Sequence, residues 1–106
     1  MKNNSYTVAV LGAGNIGSAV ISRLLQLDNE VININLSKVL VSDSTKDRSF
    51  DSDLTTEDFS EIANDENIDL VIEVLGGVEP GKEYIKELLQ KGKSVITANK
   101  DIIADC

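Results

Sequence analysis

The sequence predicts an α/β domain with a doubly wound parallel sheet. Short β-branched, apolar runs alternate with amphipathic segments along the chain, the pattern of strands joined by crossover helices. Apolar residues make up 42% of the chain but aromatics only 4%, so the core must be built from Val, Ile, Leu and Ala, which suits strands buried under helices on both faces. A length of 106 residues fits one domain, 1–106, and is enough to sustain a hydrophobic core.

The elements follow in order. A nearly all-apolar first strand spans 6–11, and the turn Gly12-Ala13-Gly14-Asn15-Ile16-Gly17 follows it directly. A helix is expected over 15–27, because Ile16, Val20, Leu24 and Leu27 fall on one stripe. A break at 28–30 leads to a second strand inside 31–41, clearest over 38–41. The polar stretch 42–56, with Phe50 and Leu54 as its apolar residues, reads as a long loop. Thr55 or Thr56 is expected to cap a short helix over 57–63 whose first turn is acidic. The next strand, 70–75, ends on Gly76-Gly77. Pro80 suits the first turn of a helix, where a missing N–H costs nothing. Tyr84, Ile85, Leu88 and Leu89 form that helix's expected buried face, Glu87 and Lys91 an i,i+4 pair, and Gly92 its stop. A last strand spans 94–98 and runs into Asn99-Lys100.

Composition narrows the function. A net charge of −8 repels phosphate backbones and argues against nucleic-acid or anionic-membrane partners. With no histidine and a single cysteine, Cys106, neither a His-based triad nor an internal disulfide can form, and no metal site is expected. The polar N-terminus and the lack of an 18-residue apolar run predict no secretory leader and no membrane span, hence a cytoplasmic protein.

In a parallel sheet, ligands bind beyond the carboxyl ends of the strands. Here those ends are 12–17, 42–43, 75–77 and 97–100, so four distant segments should meet at one crevice. A GxGxxG motif has meaning when it follows a strand and opens a helix, as Gly12 to Gly17 does. Gly12 allows the tight turn, Gly14 lets a pyrophosphate approach the backbone, and Gly17 lets the helix pack on the strand, while the helix N-terminus offers free N–H groups to phosphate. This predicts a Rossmann-type, dinucleotide-binding fold.

At the end of the second strand, Asp43 can bind a ribose 2′-hydroxyl and favour NAD. Lys46 and Arg48, with Ser42, Ser44 and Thr45, can instead cradle a 2′-phosphate and favour NADP, so both cofactors stay open. Gly76 and Gly77 leave room for the nicotinamide ribose, or simply end a strand. Glu73, a carboxylate inside an apolar run, reads as an edge or solvent-facing position, with a catalytic role as the alternative. Lys100 is the candidate catalytic residue: an ammonium here can bind a carboxylate, polarise a carbonyl or move a proton, or be an exposed surface lysine.

The segments 8–17, 69–80 (Asp-Leu-Val-Ile-Glu-Val-Leu-Gly-Gly-Val-Glu-Pro) and 92–100 (Gly-Lys-Ser-Val-Ile-Thr-Ala-Asn-Lys) resemble the nucleotide-binding domain of homoserine dehydrogenases. The resemblance covers almost the whole chain, and its later two segments are far more specific than the glycine motif. It implies interconversion of aspartate semialdehyde and homoserine with NAD(P)H, in the route to threonine and methionine. It further implies that Gly12 to Gly17 bind the cofactor, and that Leu75, Gly76 and Gly77 with Thr97, Ala98, Asn99 and Lys100 line its nicotinamide end. Lys100 matches the lysine of the family's Thr-Ala-Asn-Lys motif, between cofactor and substrate. Two departures stand out: Ser42 occupies a position where the family often has an arginine for the 2′-phosphate, and the dimerisation and substrate-binding region lies outside these 106 residues. The expectation is the cofactor-binding third of a longer enzyme, binding cofactor without turnover by itself. The competing expectation is a stand-alone NAD(P)-binding regulatory or redox-sensing module. Thr97 to Lys100 argue against a different two-domain dehydrogenase.

Overall fold

The structure is a computed structural model that describes residues 5–27, 33–46, 52–77 and 79–97. Strand β1 (Ser5–Leu11) leads through the glycine turn into helix α1 (Asn15–Leu27). Strand β2 (Asn33–Leu40), a 3-10 turn (Ser52–Leu54), strand β3 (Thr55–Thr56) and helix α2 (Ser60–Ala63) follow. Strand β4 (Leu70–Glu73), helix α3 (Gly81–Gln90) and strand β5 (Ser94–Thr97) complete the described fold. All strand pairs are parallel, in the order β3-β2-β1-β4-β5.

Alternation along the strands splits the core into two layers. One joins Val8, Val10, Leu36, Val39 and Val41 to Ile21 and Leu24 of α1. The other joins Ala9, Leu11, Leu40 and Val71 to Ile62 and Ala63 of α2 and Leu88 of α3. Ile62 and Leu88 are fully buried, each contributing about 1.5–3 kcal/mol of transfer free energy. The chain moves outward from β1 through β2 to β3, then returns to the other side of β1 for β4 and β5. The direction therefore reverses between β1 and β4, and a crevice must open above their carboxyl ends.

Several expectations change. The loop expected over 42–56 ends in a fifth strand, β3, that pairs with Val39 and Leu40. Thr55 and Thr56 are thus strand residues and not helix caps. Asp58 serves the start of α2 instead, its Oδ1 accepting the Ser60 amide at 2.9 Å and the Ser60 hydroxyl at 2.7 Å. The second strand, 33–40, lies inside the expected 31–41, and Ser37 is an extra residue within it: Val8 pairs with Leu36 but Ala9 with Lys38. That bulge breaks the simple alternation by which a strand is read. On α3, Leu88 is buried and Tyr84 and Ile85 half-buried, but Leu89 is 56% exposed. Lys91 lies just past the helix end, and α3 carries an ion pair between Glu83 and Lys86 at 3.6 Å. The side chains of Ile16 and Leu27 lie outside the description; Ile21, 1% exposed, is the innermost described residue of α1.

Candidate functional site

Gly12 has a φ of +106°, a left-handed conformation that any side chain would strain, and an added Cβ would meet the Val74 carbonyl oxygen at 3.1 Å. Its amide donates to the Leu40 carbonyl at 2.9 Å, anchoring the turn to β2. Gly17 is buried under the turn: a Cβ there would fall 2.5 Å from the Gly12 carbonyl oxygen. Only glycine lets α1 start this close to β1. Ser18 ties the first helical turn down, its hydroxyl donating to Ala13 O at 3.0 Å and its amide to Gly14 O at 2.8 Å. At Gly14 the space beyond the missing Cβ is open, with nothing within 4 Å.

Above this turn lies a crevice of about 850 Å³. Gly12, Ala13 and Gly14 form its floor, Leu40 to Ser42 and Lys46 one side, and Val74, Leu75, Pro80 and Tyr84 the other. Six residues expected at the site, Gly12, Ala13, Gly14, Ser42, Lys46 and Leu75, are thereby brought together. Gly17 supports the floor from below. Gly76 and Gly77, both with positive φ, follow Leu75 directly and are not among the residues that line the crevice. Asp43 does not line it either: its Oδ1 accepts the Thr45 amide at 2.9 Å and the Thr45 hydroxyl at 2.6 Å within its own turn. Arg48, Ala98, Asn99 and Lys100, and the side chains of Asn15 and Ile16, lie outside the described residues.

Glu73 is not at an edge. Strand β4 is flanked by β1 and β5, and the Glu73 side chain is 0% exposed. Its Oε2 accepts the Leu75 amide at 2.8 Å and its Oε1 the Thr97 hydroxyl at 2.5 Å. The position looked peripheral because a charge in an apolar run is usually solvated; of the two hydrogen bonds that make burial tolerable, one is local, from Leu75, and the other comes from Thr97, whose proximity only the fold creates.

Glu57, expected in the acidic first turn of a short helix, and Tyr84, expected on a buried helix face, were not named for the site, yet both line the crevice. Glu57 Oε2 accepts the Ser44 amide at 2.8 Å and the Ser44 hydroxyl at 2.9 Å, closing the β2 end of the crevice. These bonds, the amide first, hold its carboxyl below the ordinary glutamate value, against smaller opposing effects of desolvation and Asp43. Tyr84 stacks on Phe59 with ring centroids 3.9 Å apart and planes at 15°. The signal for Glu57 was its place directly after Thr55-Thr56: had those two been read as a strand, its carboxyl end would have pointed to Glu57.

The cradle fits a pyrophosphate. A tight turn without side chains lies at the head of a 13-residue helix, where unpaired amides and the positive end of the dipole favour anions. Known proteins agree. The profile of the family described as homoserine dehydrogenase, NAD binding domain, matches residues 12–106. Homoserine dehydrogenases of Mycobacterium tuberculosis and Bacillus subtilis are 40% and 36% identical, each over 92% of this chain. The crystal structure of Staphylococcus aureus homoserine dehydrogenase at pH 8.5 superposes with a TM-score of 0.83 at 35% identity, over 92% of this chain and 26% of that one. That of the Thiobacillus denitrificans enzyme gives 0.84 at 28% identity, over 95% and 25%. The chain spans about a quarter of the length of these curated relatives, 23% and 24%, a smaller share than the third expected. With the glycine turn, the strand order and these likenesses in accord, the chain belongs to the NAD-binding domain family of homoserine dehydrogenases.

Proposed function

We propose that the 106 residues form one NAD(P)-binding domain that supplies the cofactor half of a homoserine dehydrogenase. The observation that carries this is the side-chain-free turn of Gly12 and Gly14 under the crevice, at the point where the strand order reverses. The amides at the head of α1 hold the pyrophosphate. The Ser42–Lys46 side takes the adenosine, and Leu75 with the Thr97 end of β5 takes the nicotinamide half. A reduced nicotinamide held there would supply the hydride, and a proton source the proton, for converting aspartate semialdehyde to homoserine. Lys100 follows β5 by three residues; its ammonium offsets charge on the substrate oxygen or gives it a proton. Ala98 and Asn99 carry the chain from Thr97 to that lysine. On this reading the chain serves threonine and methionine biosynthesis in the cytoplasm. The acidic charge of −8 argues against nucleic-acid and anionic-membrane partners. Among the described residues, no helix is long and apolar enough to cross a membrane.

Asp43 is engaged with Thr45, whereas Lys46 lines the crevice. Titration of the chain with NADH and NADPH, wild type against Lys46→Ala and Arg48→Ala, tests the reading. Wild type binds at least one dinucleotide. If a 2′-phosphate is held at Lys46 and Arg48, each variant weakens NADPH about tenfold and leaves NADH nearly unchanged. Binding of neither dinucleotide to the wild type refutes the reading.

A further inference from the structure

Glu73 takes no part in the function proposed above, yet it is fully buried. A carboxylate out of water is costly unless its oxygens are hydrogen-bonded. Its partners among the described residues are two neutral groups, the Leu75 amide on Oε2 and the Thr97 hydroxyl on Oε1. The surrounding sheet face is apolar: Ala9, Leu11 and Val71 lie on it. An apolar side chain of similar volume would suit such a face at least as well, so packing alone does not call for a carboxylate.

The two partners show what the carboxylate accomplishes. Leu75 lines the crevice, and its amide is the first beyond Val74, where β4 has already ended. Thr97 is the last residue of β5 and the register partner of Glu73. The Val74 amide still reaches the Leu11 carbonyl of β1, at 3.0 Å, but the Leu75 amide donates to the Glu73 carboxylate and not to a strand carbonyl, and a backbone N–H away from water needs such an acceptor. Glu73 supplies that acceptor and, with its other oxygen, joins the turn to the neighbouring strand end. Pyrophosphate on the turn after β1 leaves one half of a dinucleotide toward β2 and the other toward β4 and β5.

We infer that Glu73 is a positioning residue, a buried clasp between Leu75 and Thr97 that holds the ends of β4 and β5 in the shape that receives the nicotinamide half of the cofactor. The inference rests on the dinucleotide reading of the crevice, but it makes one prediction that does not.

Two substitutions separate positioning from simple packing. Glu73→Gln keeps both bonds, its carbonyl accepting the Leu75 amide and its amide donating to the Thr97 oxygen. Glu73→Leu removes the acceptor while filling the space and sparing the buried charge, so the fold survives. Amide hydrogen exchange is the first readout. In the leucine variant Leu75 exchanges about tenfold faster or more, while Val8 and Val10 of β1 and Leu75 of the glutamine variant match wild type. Titration with the tighter-binding of NADH and NADPH, and with ADP as the half lacking nicotinamide, is the second. The leucine variant loses about tenfold for the dinucleotide but less than about twofold for ADP, and the glutamine variant binds both as wild type does.

The clasp is overturned if Leu75 exchange is unchanged in the leucine variant. The nicotinamide assignment is overturned if that variant loses ADP and dinucleotide equally, or neither, or if glutamine fails to restore binding. A wild type that binds none of these ligands refutes the functional reading, and the exchange result still decides whether Glu73 holds the turn.

Discussion

At Gly17 an added Cβ would lie 2.5 Å from a backbone oxygen, while at Gly14 it would meet nothing within 4 Å. The same motif therefore contains a glycine needed by the fold and one needed by the crevice. Gly17→Ala must push α1 away from the Gly12 carbonyl, at a cost of about 1–3 kcal/mol from overpacking, partly offset by alanine's better helix propensity, about 1 kcal/mol. Gly14→Ala leaves stability within about 0.5 kcal/mol but puts a methyl group where the pyrophosphate would lie. Urea unfolding and NADH or NADPH titration of both variants separate the two roles; equal stability loss in the pair would contradict the assignment. The motif was legible from the sequence because its spacing is local. The parts expected of Gly14 and Gly17 agree with the space around each, open at the first and closed at the second.

Between β2 and α2, the Ser44–Glu57 contact joins two segments that the sequence presents as one polar stretch. The Glu57 carboxyl is held below its ordinary value of 4.5 by the Ser44 bonds. A depressed folded-state pKa stabilises the contact above the ordinary value, and that contribution is lost as pH falls through the lower folded value. Following the Ser44 amide by NMR from neutral to acid pH should give a midpoint below 4.5, and Glu57→Gln should abolish the titration. A midpoint at or above the ordinary value would show that the contact does not form in solution. Strands β1, β4 and β5 and helices α1 and α3 were legible because apolar periodicity marks them. Strand β3 was not, since two threonines carry no period, and the bulge at Ser37 shifts the phase of β2.

At the scale of the whole molecule, the described residues bring the glycine turn, the β2 end and the β4 end to one crevice. The relatives are about four times longer, this chain covering 23% and 24% of them. We expect the 106 residues assayed by themselves to bind dinucleotide and to give no homoserine oxidation above background. Absorbance at the reduced-nicotinamide band, with homoserine and oxidised cofactor present, checks this; measurable turnover would mean that these residues also hold the substrate.

The sequence by itself determined the alternation of strands and helices, the placing of the glycine turn between β1 and α1, and the family resemblance, because each rests on residues near one another in the chain. Tertiary structure alone decided that Asp43 turns inward on Thr45, that Glu57 and Tyr84 reach the crevice, and that Glu73 is a buried clasp and not an edge charge. A polar side chain's role is set by its hydrogen-bond partners and its access to water. Asp43 finds its partner two residues on, within its own turn, whereas Glu57 meets Ser44 and Glu73 meets Thr97 across elements that only the parallel sheet brings together.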